Sequence, residues 1–408
     1  MHTRISYILG KKQLRLLFLP FLLLFLAGTA LGDVPQGVKP EVQARAAVVM
    51  DCETGEILYE KNPDVIIPPA SLTKLMTIHV TLKQIEHGVT SRNAVVQIPV
   101  KAYAYNQPPH SSLMFLGPNQ KVTVGELLKG LAVASGNDAA VAIAHHVAGS
   151  VEDFVYLMNR EATRLGLDSC TFHDPAGLSA HNTITARDFA EFCKIYIELH
   201  PETLQELHSV KKITYPTKEN ITADYAPSHV TQYNRNRLLW EYPEVDGLKT
   251  GYIHESGYNI AVSAKKNGMR LVAVLLGGNG RSSSEGQHNL ARDAKALLDY
   301  SFNNYITLRP RHTSLPSVRV WKGKESAVEL AIEEELTVTI SKQLRDRLET
   351  SYNVRESVEA PVEKGDPLGE IVVSAGDKEI KRVDLIASQA VERGNFFKRL
   401  RDTILLLF

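Results

Sequence analysis

At 408 residues the chain is long for one ordinary domain, and its length predicts two. Its 46 basic and 46 acidic residues balance, which removes any bulk electrostatic case for a nucleic-acid partner, and 44% apolar residues can fill globular cores. Cys52, Cys170 and Cys193 are too few for a disulfide framework, and an odd count leaves at least one thiol unpaired; all three are expected as small buried apolar residues.

Arg4, Lys11, Lys12 and Arg15 precede the run LLFLPFLLLFLAGTALG, and a polar chain begins at Asp33. A basic head, an apolar stretch and small residues at Ala30 and Gly32 predict an export signal over residues 1–32. The alternative is an uncleaved anchor, for which the apolar run is short. Next, ARAAVVMDCETGEILYEKN reads as two strands around Thr54-Gly55. Leu72 to Gln84 is apolar nearly all round, and VGELLKGLAVAS, DAAVAIAHHVAG and EDFVYLMNREATRLGL have helical spacing. YNIAVSAKKNGMRLVAVLLGG is a hairpin with Asn267-Gly268 where a type I′ turn needs it, and HNLARDAKALLDYSFNNY is a closing helix. Strands from both ends with helices between predict an α+β domain over residues 33–305, an antiparallel sheet covered by helices.

From residue 306 to 391 the segments SVRVWKGK, AVELAIEEELTVTIS and LGEIVVSAGDKEIKRVDLIA predict a smaller all-β domain. The tail, residues 392–408, is an amphipathic helix: Phe396, Phe397, Leu400, Ile404, Leu407 and Phe408 share one face, opposite Lys398, Arg399, Arg401 and Asp402. A basic polar face and an aromatic apolar face predict a helix lying in a membrane surface, the alternative being a helix packed on the β-domain. Burying three Phe and three aliphatics would contribute at most about 6–10 kcal/mol before ordering costs.

Ser71 and Lys74 stand one helical turn apart in PPASLTKLMTIHV, a run that is otherwise almost wholly apolar. The pattern Ser-x-x-Lys also occurs at Ser209/Lys212, in a charged stretch, and at Ser263/Lys266, in a strand where the two side chains point opposite ways. Only the first opens a buried helix, with Pro69 presetting its first turn. There the helix terminus favours negative charge near Ser71, and Leu72, Leu75 and Met76 desolvate the Lys74 ammonium and depress its pKa. A serine beside a neutral amine is an activated nucleophile; the alternative is a lysine snorkelling to the surface. Ser135-Gly136-Asn137 lies in a tight break between apolar helical stretches, although Ser301/Asn303 and Ser351/Asn353 match the same pattern. Lys249-Thr250-Gly251 occurs once, directly before the second hairpin, where it would offer a cation, a hydroxyl and open backbone to a carboxylate. His145-His146, His173 and His181 lack metal-ligand spacing, and no metal or other cofactor is expected.

Ser71-x-x-Lys74, Ser135-x-Asn137 and Lys249-Thr250-Gly251, in that order, resemble the three motifs of penicillin-binding proteins and serine β-lactamases. With PASLTKLMT, ASGNDAAVAIAHHVAGS, FHDPAGLSAHNTITARDFAEF and DGLKTGYIHESGYN, the chain resembles the low-molecular-mass D-alanyl-D-alanine carboxypeptidases from Asp33 to Phe408. The resemblance implies removal of the terminal D-Ala from peptidoglycan stem pentapeptides through an acyl-enzyme on Ser71, with Lys74 as base and Ser135 as proton relay. Asn137 would hold the substrate amide and Lys74, Lys249 and Thr250 the terminal carboxylate, and the backbone N–H groups of Ser71 and Tyr252 the oxyanion. β-Lactams would acylate the same serine, and the expected location is periplasmic, on the inner-membrane surface. Tyr252 follows Lys-Thr-Gly where the family often has His or another polar residue, and Arg281 is a stand-in for an arginine the family uses near the closing helix. A β-lactamase is the nearest alternative, but no Glu-x-x-Leu-Asn stretch lies between Asn137 and Lys249. A non-catalytic cell-wall-binding or morphology protein is another, against which the intact Ser71, Lys74 and Lys249 argue.

Overall fold

A computed structural model describes residues 3–7, 37–221, 229–310 and 315–407. The apolar part of the expected export signal and Phe408 lie outside these residues. The chain divides into two compact units, one of residues Val38–Asn303 and one of Asn304–Phe408 with the N-terminal segment.

In the first unit, β1 (Ala46–Asp51), β2 (Ile57–Lys61), β3 (Val245–Ile253), β4 (Gly257–Lys266) and β5 (Met269–Gly278) form one antiparallel sheet in the order β2-β1-β5-β4-β3. The two short turns carry the positive φ their sequences predict: 73° at Gly55, and 52° and 88° at Asn267 and Gly268. Because β1 pairs with β5, the start and the end of the domain meet in mid-sheet, which sets β3 at the edge. The near-continuous apolar text of β4 and β5 matches their near-complete burial.

The helices are α1 (Thr73–Glu86), α2 (Val124–Lys129), α3 (Asn137–Ala148), α4 (Val151–Arg164), α5 (Ala186–Leu199), the short α6 (Leu238–Glu241) and α7 (Ser283–Asn304). Every residue of α1 from Thr73 to Leu82 is buried, so α1 is a central helix rather than an amphipathic one. Leu72, Leu75, Met76 and Ile78 are fully buried. At about 1.5–3 kcal/mol each, they offset the cost of taking Lys74 out of water beside them. Helix α5 is not marked in the sequence reading. Thr185 caps it by accepting the Asp188 N–H, and its stripe of Phe189, Phe192, Cys193 and Tyr196 is buried. Cys170 and Cys193 are buried and Cys52 partly so, and all three are free thiols.

The described part of the second unit is all-β apart from a 3-10 turn, Lys342–Arg347, and its C-terminal helix. Its main sheet runs in the order Thr3–Tyr7, Leu348–Val354, Pro367–Ala375, Lys378–Ala387, Ala327–Ala331, Ser317–Trp321, Ser357–Glu359. The alternating burial of Ser317–Trp321, Ala327–Ala331 and Leu348–Val354 puts Val318, Val320, Val328, Leu330 and Tyr352 into its own core. Helix α8 (Phe396–Leu405) follows, capped by the Asn395 side chain accepting the Lys398 N–H. Its polar face, not its apolar one, is turned to the domain. Asp402 is only 2% exposed and accepts the Lys322 N–H at 2.8 Å, and the Lys398 ammonium donates to the Lys324 carbonyl. Phe396 (69% exposed), Phe397 (79%), Leu400, Ile404 and Leu407 face outward. Among the described residues no helix is long and apolar enough to cross a membrane.

Candidate active site

Ser71 lies in a 3-10 turn, Ala70–Leu72, that runs directly into α1. The turn is strained: Ala70 has φ 51°, a conformation that L-residues adopt at a cost of about 1–2 kcal/mol. What permits it is Gly177, where a Cβ would lie 1.8 Å from the Ala70 carbonyl oxygen. One turn on, the Lys74 ammonium is completely buried. It donates to Ser71 Oγ at 3.1 Å, Asn137 Oδ1 at 2.7 Å and the Ala176 carbonyl at 2.6 Å. Burial pulls its pKa down to about 7, against the opposing pull of Asp174 and Asp138. Lys74 does not snorkel.

Ser135 and Asn137 come from the break between α2 and α3. A π turn, Gly130–Ala134, ends with Ser135 in the left-handed region at φ 60°, and Asn137 is the first residue of α3. Next to it, the buried Asp138 carboxylate accepts the N–H groups of Met114, Phe115, Leu116 and Ala139 at 2.8–3.0 Å. Asn137 N–H donates to the Ser112 carbonyl. Segment 112–116 is therefore clamped to the base of the Ser135 loop by backbone contacts. Burial raises the Asp138 pKa, and the four N–H groups oppose it.

The edge strand β3 brings Lys249, Thr250, Gly251 and Tyr252, paired to β4 through Ala261, Ile260, Asn259 and Tyr258. Lys249 is buried, donates to the Thr250 carbonyl at 2.8 Å, and has its pKa held far below the lysine range by burial, then by Lys74 and Arg235. Gly251 is where the strand meets Ser71: a Cβ there would lie 2.8 Å from the Ser71 nitrogen and 2.9 Å from the Pro69 carbonyl. That close approach makes neighbours of the Ser71 and Tyr252 amides. Ser71, Ser135, Thr250, Gly251 and Tyr252 line one cleft. Lys74, Asn137 and Lys249 lie buried behind it.

Several contributors carry no motif. Ala176 acts through its backbone, held by Asp174, whose carboxylate accepts the N–H groups of Ala176, Gly177, Leu178 and Ser179. Arg235 also lines the cleft. It sits between two buried asparagines that pin it: Asn234 donates to the His208 and Val210 carbonyls, and Asn236 to the Gly247 carbonyl. The signal was the text Asn-Arg-Asn-Arg before β3. Arg281, the expected stand-in, lies outside the cleft lining, at the exposed approach to α7, where its N–H donates to Glu285. The histidines go elsewhere: His145 meets the Gly149 carbonyl, His146 meets Thr90, and His173 and His181 pack in a T-shaped pair. No group of three or more His, Cys, Asp or Glu converges to hold a metal among the described residues.

Comparison with known proteins shows the family. Residues 34–280 match the family described as D-alanyl-D-alanine carboxypeptidase, and residues 304–393 match the penicillin-binding protein 5 C-terminal domain. D-alanyl-D-alanine carboxypeptidase DacC of Escherichia coli is 36% identical over 95% of this chain and 94% of its own. The solved penicillin binding protein 5 from Haemophilus influenzae is 32% identical, with a TM-score of 0.78 over 89% of this chain and 100% of that one. Penicillin-Binding Protein D2 from Listeria monocytogenes, solved in a cefotaxime bound form, is 27% identical, with a TM-score of 0.56 over 65% of this chain and 100% of that one. The chain thus belongs to the D-alanyl-D-alanine carboxypeptidase family, and it is a serine-type, penicillin-binding D-Ala-D-Ala carboxypeptidase.

Proposed function

We propose that Ser71 is the nucleophile, Lys74 its base and Ser135 the proton relay in cleavage of the terminal D-Ala from peptidoglycan stem peptides. The observation that carries this is the three-acceptor cage around the Lys74 ammonium. A cationic amine fills three acceptors; a neutral one keeps two N–H groups and one lone pair. Asn137 Oδ1 and the Ala176 carbonyl can only accept, so they retain the two N–H groups. The lone pair then faces Ser71 Oγ, the one partner with a proton to give.

Lys74 takes that proton as Ser71 Oγ bonds to the carbonyl carbon of the penultimate D-Ala. The oxyanion is met by the Ser71 and Tyr252 N–H groups, at the helix terminus where negative charge is favoured. Such donors supply about 3–4 kcal/mol of barrier reduction each. Ser135 passes the proton to the leaving nitrogen as the C–N bond breaks, and water then hydrolyses the ester. Asn137 holds the substrate amide, and Lys249, Thr250 and the guanidinium of Arg235 hold the terminal carboxylate. β-Lactams acylate the same serine.

The basic head and apolar run of residues 4–32 support export to the periplasm, with residues 33–305 as the peptidase domain and 306–391 as the β-rich one. Helix α8, polar face inward and Phe396 and Phe397 outward, supports attachment to the inner-membrane surface through residues 392–408. A Ser71→Ala variant tests the assignment: it folds with a wild-type melting transition, takes up no labelled penicillin and releases no D-Ala from a defined pentapeptide. D-Ala release surviving that substitution would overturn the reading.

A further inference from the structure

Tyr252 is 53% exposed at the mouth of the cleft, one residue past the glycine that touches the nucleophile. Its ring lies on that of Tyr258, directly across the β3–β4 pair, with centroids 4.5 Å apart and planes at 35°. Tyr258 is in turn buried and backed by Gly286 of α7, where a Cβ would lie 2.1–2.3 Å from three atoms of its ring. The outer ring is therefore fixed by the inner ring, and the inner ring by a glycine in a helix. This is a preorganised apolar shelf, not a mobile surface tyrosine.

Its place along the strand says what it touches. Thr250 and Tyr252 are two residues apart on β3, so their side chains share a face. With Thr250 at the leaving-side carboxylate and the Tyr252 N–H at the scissile carbonyl, the Tyr252 ring lies on the acyl side of the bond. That placement rests on the active-site reading above. We propose that Tyr252, stacked on Tyr258, is a specificity-determining residue that packs against an apolar or aromatic substituent on the acyl side of the substrate. In a peptide this is the side chain of the residue preceding D-Ala-D-Ala; in a penicillin it is the acylamino side group. Ring contacts of this kind select by shape and hydrophobicity without a charge.

The test compares second-order acylation rates for benzylpenicillin, which has an aromatic side group, and 6-aminopenicillanic acid, which has none. The ratio of the two rates falls roughly 2–10-fold in Tyr252→Ala, as loss of an aromatic contact requires, and is retained in Tyr252→Phe. Gly286→Ala, which displaces the Tyr258 ring, lowers the same ratio. An unchanged ratio in Tyr252→Ala, with the label still on Ser71 by peptide mass spectrometry, overturns the shelf alone. So does a fall in Tyr252→Phe equal to that in Tyr252→Ala, because the hydroxyl rather than the ring would then be read. Label on a residue other than Ser71 in the wild type overturns the active-site reading itself.

Discussion

The protonation of Lys74 can be moved by one atom's worth of chemistry. Asn137 Oδ1 lies 2.7 Å from its nitrogen, so Asn137→Asp puts a carboxylate oxygen where an amide oxygen was. The wild-type amine, depressed to about 7 by burial, is half neutral at about pH 7. A buried opposite charge in contact raises such a pKa by about 1–3 units, and at about 2 units the neutral fraction at pH 7 falls to about 1%. Acylation by penicillin should then drop roughly 50-fold at pH 7 and recover about half its ceiling near pH 9. The sign follows from the role: a base works deprotonated, so the rate rises with pH through the folded-state pKa. Stopped-flow acylation across about pH 5.5–10 reads the limb directly. Asn137→Ala is the control, since it loses the hydrogen bond without adding charge and leaves the limb without an upward shift. A wild-type rate that is flat from about pH 6 to 8, or an Asn137→Asp deficit of equal size at pH 7 and pH 9, would refute a neutral-amine mechanism.

Three further expectations follow from other parts of the site and the tail. Arg235→Ala should lower kcat/KM for a D-Ala-D-Ala peptide by roughly 10–100-fold, the value of a charge-assisted hydrogen bond, and erase discrimination against the C-terminal carboxamide analogue; unchanged discrimination removes it from carboxylate binding. Gly177→Ala, at φ 80° with its Cβ 1.8 Å from the Ala70 carbonyl, should cost about 1–3 kcal/mol in urea melts and weaken acylation by moving the Ala176 carbonyl; a neutral substitution would show that the Ala70 turn does not depend on it. Deleting residues 395–408 should abolish cosedimentation with anionic lipid vesicles while leaving penicillin binding intact, and retained cosedimentation would reject the tail as the anchor.

Local rules carried the sequence a long way where local physics decides the outcome. Gly55 and Asn267-Gly268 announce their hairpins because few other residues accept positive φ. Helix α1 was legible from an apolar run too uniform for a surface helix, and that uniformity also identified Lys74 as a buried amine. Less legible were groups acting through backbone or at long range. The Ala176 carbonyl, the third acceptor for Lys74, has no side-chain signature, and the Asp174 and Asp138 clamps capture N–H groups of any residue type. Arg235 lay outside the motifs, although Asn234 and Asn236 on either side mark the turn that presents it. Helix α8 shows the limit of a helical wheel, which sorts residues into two faces without saying which one docks. Asp402 belongs by pattern to the solvent side, yet it is buried on the Lys322 amide because a carboxylate gains more there than in water.

The glycine that lets β3 touch the Ser71 amide has a bearing on maturation as well. Ser71 and Tyr252, the proposed nucleophile and oxyanion donor, come from opposite ends of the domain sequence, and they meet only after the last three strands have paired in register. A chain still emerging or half assembled would present its serine without the second amide, and would be chemically inert toward wall peptides and antibiotics alike. Covalent capture of a fluorescent penicillin would accordingly report completed assembly, not mere presence of the polypeptide.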